Sequence, residues 1–343
     1  MKLRSCGRLS ACLVSVTSVA IVFVSGCSRS SISTGTTSGG TTTPAGSTIS
    51  SGAQMGYIWN SSDSTLRALV GVPGANQIGA ALFPAGTYAT GAYTSQTRTA
   101  LLIDPRGNLK AVALPSEQTV QLEANVPLSS VISFSPHGGY AVVMVPGSTS
   151  LLLVSGLPQS PVATSVNSTA KIQGATVSDL GTLLVAANGA TAGVTITATV
   201  ANGTRSTLAS VGGFGGMSFI PGSEDSLVAD STVNTLARYH NGTPTTLATG
   251  SSGLNQPLAV AASQDGHWAV VADSTGGSLV RVDLTGATPP AQSTCNCSPT
   301  QLSALNGNAV FEVVAPGTAP GWMIQADSPT SRVLFIPPVR SGQ

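Results

Sequence analysis

Four stretches of the chain share one pattern of apolar and polar positions: an apolar run, a short turn holding a glycine, and a second apolar run. They are VISFSPHGGYAVVMV (131–145), GATVSDLGTLLVAAN (174–188), GMSFIPGSEDSLVAD (216–230) and LAVAASQDGHWAVVAD (258–273). Runs of this length bounded by turn residues read as strands. The turn glycines Gly138, Gly181, Gly222 and Gly266 are spaced by 43, 41 and 44 residues. Each unit goes on to a third apolar run (150–154, 193–200, 236–239, 278–284) and a fourth (161–166, 206–211, 245–248, 291–295). Two of the connections between them are Asn202-Gly203 and Asn241-Gly242. Asn-Gly suits the two-residue hairpin turn, which needs positive φ at both central positions.

A repeat of 40–45 residues with four short strands is the signature of a β-propeller blade. A β-sandwich also has many short strands, but it does not predict one turn recurring at so regular a spacing. An earlier unit fits more loosely over 87–124, and a last one shows three strands, 308–314, 321–327 and 332–338. Ahead of them stand GYIWN (56–60) and TLRALVG (65–71). The expectation is an all-β propeller of six four-stranded blades over 54–343, closed by an N-terminal strand that completes the last sheet. Seven blades is the alternative, if 54–83 forms a reduced blade of its own.

The segments SFSPHGGYAVVMV and AASQDGHWAVVAD resemble bacterial propeller repeats of the YVTN and NHL kind. CNCSPTQLSALNGNAVFEVV (295–314) is similar to uncharacterised extracytoplasmic propellers of Acidobacteria. The resemblance implies a fold rather than an activity, because propellers host binding, scaffolding and catalysis alike.

The N-terminus has a different pattern. Lys2, Arg4 and Arg8 precede an almost wholly apolar stretch, 11–24, too short to span a bilayer and suited to a secretory signal. It ends Val24-Ser25-Gly26-Cys27, which resembles the lipobox of bacterial lipoprotein signals. That resemblance implies that 1–26 is a signal peptide and that Cys27 becomes an acylated N-terminus. The protein would then be extracytoplasmic and held to the cell envelope by its lipid, at the outer membrane in a Gram-negative host. An ordinary secretory signal with an incidental cysteine is the competing reading. Beyond Cys27, the segment 28–53 is a Ser/Thr/Gly tract that reads as a flexible tether.

Composition narrows the function classes. Charged residues are 8% of the chain, which argues against nucleic-acid binding, since that needs clustered cations to neutralise phosphates. Without the three cations of 1–26, Lys plus Arg falls from 14 to 11 against 13 Asp plus Glu. The mature chain is therefore near −2.

Candidate chemistry is sparse. His137, His240 and His267 fall in turns of different units and share no motif with a carboxylate, so they read as exposed turn histidines. There is no nucleophile elbow, P-loop or zinc spacing, so no cofactor is implied. Propeller lyases of the streptogramin-lyase kind need His and Glu converging over the channel, and Glu117, Glu123, Glu224 and Glu312 share no motif with a histidine. Cys295 and Cys297 face an oxidising compartment, which favours a tight disulfide over a redox-active dithiol. One feature recurs: second strands end in Asp104, Asn188, Asp230, Asp273 and Asp327. These side chains either cap their own turns or form a ring of acceptors on a ligand face. The leading expectation is a monomeric, membrane-anchored binding or scaffold module with a protein or glycan ligand. The alternatives are a channel enzyme, lyase or hydrolase, on an extracellular substrate and a purely structural envelope protein.

Overall fold

A computed structural model describes residues 53–190, 192–327 and 330–339. The expected signal peptide, Cys27 and nearly all of the expected tether lie outside the described residues. The described residues form seven antiparallel sheets, each with its strands hydrogen-bonded in chain order. We number them as blades 1 (54–81), 2 (90–123), 3 (131–167), 4 (172–211), 5 (214–248), 6 (257–294) and 7 (303–336). Blades 2 to 7 have four strands and blade 1 has three.

Seven blades replace the expected six, and among the described residues no N-terminal strand joins the last sheet. Residues 54–60 and 65–72 pair with a third strand, Ala75–Ala81, in a sheet of their own. Only Ile78 is buried in that strand, so its sequence carries almost no apolar signal. Blade 7 supplies its own first strand, Ser303–Ala304, two residues long and below the resolution of any periodicity. Missing both strands made the last unit look incomplete and the first look spare.

Seven apolar clusters hold the ring, one at each seam between neighbouring blades. Each second strand lies between two seams and feeds them alternately. In blade 4, Leu183 and Val185 face blade 3 while Leu184 and Ala186 face blade 5. In blade 6, Ala269 and Val271 face blade 5 while Val270 and Ala272 face blade 7. Burial on both faces is why these strands read as continuous apolar runs instead of alternating ones. The turn glycines are also explained: Gly138, Gly181, Gly222 and Gly266 have φ of +74°, +86°, +68° and +67°, where a side chain is strained.

The seam between blades 7 and 1 packs Leu305, Val310 and Met323 against Met55, Ile58 and Leu69. Glu312, on the second strand of blade 7, is buried there and its Oε1 has no hydrogen-bond partner. Burial pushes its carboxyl up from 4.5 to about 7. The folded protein therefore keeps this proton where the unfolded chain has lost it. Stability is highest below the unfolded value and falls as pH rises from about 4.5 towards 7, by on the order of a few kcal/mol. Glu312→Gln should flatten that slope and raise stability at pH 8, as read by denaturant unfolding at pH 5, 6.5 and 8.

Candidate functional site

The first strands of blades 2 to 7 surround a central cavity of about 340 Å³. The volume is at the small end for ligand pockets. Its walls mix apolar side chains such as Val131, Met217 and Leu258 with hydroxyl and amide groups. The polar groups include Tyr93 and Thr94 of blade 2, Ser133 of blade 3, Gln173 of blade 4 and Gln301 of blade 7. Among the described residues, no Asp, Glu, His, Lys or Arg lines it. Tyr93 is the one titratable group among the described lining residues; burial and then neighbouring Tyr57 push it up to about 12, so its hydroxyl stays neutral. The two rings meet edge to face at 4.9 Å.

The cavity's two ends differ. At the end formed by the first-to-second turns, the Gln264 side-chain amide of blade 6 donates to the Pro136 carbonyl of blade 3, 3.3 Å away. These blades stand on opposite sides of the ring, so the bond spans the cavity. At the other end the strand starts supply Val131, Gln173, Phe214 and Leu258. Phe214 lies over Gly174, where a Cβ would run into its ring.

The carboxylates singled out from the sequence do not line the cavity. Asp104 accepts from the backbone of Arg106 (2.9 Å) and Asn108 (3.0 Å) and pairs with Lys110 at 3.1 Å. Burial pushes this carboxyl up, but the bonds from Asn108, Lys110 and Arg106 outweigh it and hold it well below the usual range. Asp230 uses both oxygens: Oδ2 accepts from Gly212 N–H, and Oδ1 from Gly213 and Thr232 N–H. It thus ties its own turn to the connection arriving from blade 4. Asp273 is fully buried; Oδ2 accepts from Asn255 N–H at 3.0 Å and Oδ1 has no partner. Burial outweighs the hydrogen bonds from the Asn255 backbone and the Ser278 side chain and pushes it up to about 6. Asn188 is exposed and accepts from the Gln173 side chain at 2.8 Å, which places it beside the cavity mouth. Asp327 follows the third strand of blade 7, Gly321–Gln325, and not a second strand, so it sits on the opposite face from the other four. The very short first strand of blade 7 accounts for that misplacement.

Cys295 and Cys297 are joined by a disulfide with Cα atoms 5.1 Å apart. The chain bends there between blades 6 and 7, which brings the pair closer than a flat strand would.

Three histidine–aspartate pairs had no signature in sequence. His137 Nδ1 lies 2.7 Å from Asp179 Oδ2, His240 Nδ1 2.8 Å from Asp225 Oδ1, and His267 Nε2 3.4 Å from Asp283 Oδ1. The first joins blade 3 to blade 4 across 42 residues, close to one repeat, and that spacing was the one signal available. Burial raises Asp225, but hydrogen bonds and charge from Arg238 and His240 outweigh it and hold the carboxyl below its usual value. All three pairs lie on the face of the first-to-second and third-to-fourth turns. Among the described residues, no group of three His, Cys, Asp or Glu side chains could hold a metal ion.

No protein-family model matches the chain, and no curated protein matches it. Solved structures do. A streptogramin B lyase is 13% identical, with 75% of this chain and 84% of that chain covered and a TM-score of 0.54. A protein from Lactobacillus plantarum is 14% identical, with 83% and 97% covered and a TM-score of 0.57. The β-propeller domain of Cps50 (Swd1) from Myceliophteria thermophila is 10% identical, with 74% and 88% covered and a TM-score of 0.52. Likeness at these identities shows the fold alone, a β-propeller.

The double use of Asp230 makes a specific demand. An asparagine offers one acceptor and turns an amide N–H toward a backbone N–H. Asp230→Asn should cost about 1–3 kcal/mol, whereas Asn188→Ala, at an exposed site, should stay within about 0.5 kcal/mol. Equilibrium unfolding of the two variants checks both.

Proposed function

We propose that the protein is a membrane-anchored, extracytoplasmic propeller of YVTN/NHL-like repeats that binds an uncharged ligand at its channel mouth and acts as a binding or scaffold module. The observation that carries this reading is the cavity wall. Six blades contribute hydroxyl, amide and apolar groups to it, and none of its described side chains is charged. Such a wall offers hydrogen bonds in both directions without demanding a counter-charge. It suits the end of a glycan chain or a neutral loop of a protein. General acid–base chemistry would need a group that titrates near working pH, and Tyr93, at about 12, is not one. The anchor rests on Cys27 and its small-residue cleavage site. Several acyl chains at about 0.8 kcal/mol per buried CH₂ make a stable attachment.

Calorimetry with neutral oligosaccharides and with neutral peptides tests the ligand. Binding to the wild type should weaken at least about tenfold in Gln173→Ala, by loss of roughly 1.4 kcal/mol, with melting unchanged. No heat with either ligand set would leave the binding reading without support. For the anchor, Cys27→Ser should release the protein from the membrane fraction, and intact mass should show an acylated Cys27 in the wild type. A mature N-terminus at any other residue would overturn the lipoprotein reading.

A further inference from the structure

A second hollow, of about 210 Å³, lies at the mouth-side end of blade 3, beside the connection that brings the chain in from blade 2. Its walls come from that connection, Glu123 to Ser130, and from Met144, Ser150 and Ser165 on the second, third and fourth strands of blade 3. The connection is fixed in place. Val126 N–H donates to the Gly107 carbonyl at 2.9 Å, and a Cβ at Gly107 would run into the Val126 carbonyl. The hollow is thus held between the second-to-third turn of blade 2 and the sheet of blade 3.

The hollow adjoins the central cavity. Met144 lines both. Val131 lines the cavity, and the residue before it, Ser130, lines the hollow. Ser148, in the wall of the hollow, accepts at its carbonyl from Ile172 N–H at 2.7 Å, and the next residue, Gln173, lines the cavity. The register of blade 3 gives the span. Ile132, Val143, Leu152 and Ser165 stand opposite one another on its four strands. With neighbouring strands about 4.8 Å apart, the hollow reaches about 14 Å outward from the channel-side strand.

Its surface has a definite chemistry. Val126, Val143 and Leu151 make a buried apolar floor. Four serines stand around it. The Oγ atoms of Ser130 and Ser148 donate to the carbonyls of Pro127 (2.6 Å) and Ser150 (2.7 Å) and keep their acceptor capacity. Ser150 and Ser165 are exposed, and among the described residues their hydroxyls have no partner, so each can donate and accept. A sugar ring presents the matching surfaces: apolar C–H faces and a rim of hydroxyls. An extended peptide would need an unpaired strand edge for its main chain. The strands under the hollow are paired with each other, Ser150 with Asn167 and Leu152 with both Val143 and Ser165. Glu123 is the one charged group among the described lining residues, and its Oε1 accepts from Ala124 N–H at 3.1 Å. A carboxylate there accepts from hydroxyls and repels another carboxylate, which favours a neutral chain over an acidic one.

We propose that the cavity and this hollow are two subsites of one site, and that its ligand is a neutral oligosaccharide laid radially across blade 3. The chain end sits in the channel, and the following units pass over Met144 to Ser148, Ser150 and Ser165. The inference rests on the reading that the channel binds an uncharged ligand.

Calorimetry on the full chain tests it, with cellotriose and cellohexaose and with chitotriose and chitohexaose as probes. In at least one pair the hexasaccharide should bind at least about tenfold more tightly than the trisaccharide. The double variant Ser150→Val, Ser165→Leu removes two hydroxyls and narrows the hollow at exposed strand positions, so its melting should match the wild type. It should bind the hexasaccharide no better than the trisaccharide and leave trisaccharide affinity unchanged. Gln173→Ala should weaken both lengths alike. Equal affinity for the two lengths in the wild type, or a length gain that survives in the double variant, would overturn the second subsite and leave the channel reading standing. Unchanged binding of both lengths in Gln173→Ala would overturn the channel reading and with it the joint site, as would no binding of any probe. An equal gain for hexagalacturonate over trigalacturonate would overturn the preference for a neutral chain.

Discussion

Everything in this propeller depends on burying the second strand of each blade between two neighbouring sheets. A strand with one solvated face alternates apolar and polar residues. Here that option is closed, because each strand is wall to one seam and floor to the next. LLVAA in blade 4 and AVVA in blade 6 are the result. Carboxylates gather at strand ends, where Asp104, Asp230 and Asp283 find backbone N–H groups, and Glu312, buried within a second strand, departs from that rule. The low charge content of the chain follows from this geometry and needs no functional explanation.

How much of this was legible in the sequence follows from the same constraint. Strongly apolar second strands and their positive-φ glycines repeat with the blade, so the propeller and five of its sheets could be read directly. The count failed at two elements that make little contact with the core. Ala75–Ala81 is an outer strand with one buried side chain, and Ser303–Ala304 is too short to carry a pattern. Their absence from the reading also carried Asp327 to the wrong face. The asparagine and aspartate ends of the strands were visible as a series, but sequence could not show that the carboxylates turn toward loop backbone and away from the axis. The lining of the channel was invisible, because Ser133, Gln173 and Gln301 are ordinary polar residues whose meeting depends on seven-fold geometry.

The histidines illustrate a further limit. His137 and Asp179 are one blade apart and meet because neighbouring turns are stacked around the ring. Local motif searches assume that chemistry is assembled within a few residues. In a repeat ring, the neighbours of a turn residue lie one period away in either direction. Asp179 receives bonds from blade 3 at His137 and from blade 5 at Gly222, at 3.4 Å. Such a residue fastens three blades with one carboxylate.

The bond from Gln264 to the Pro136 carbonyl changes what kind of opening the centre of the wheel is. A ring of strands suggests a conduit, through which a polymer could be threaded or a product released on the far side. A crossbar at one end narrows that conduit. A chain threaded right through would have to break that bond, whereas a chain tip entering past Phe214 leaves it intact.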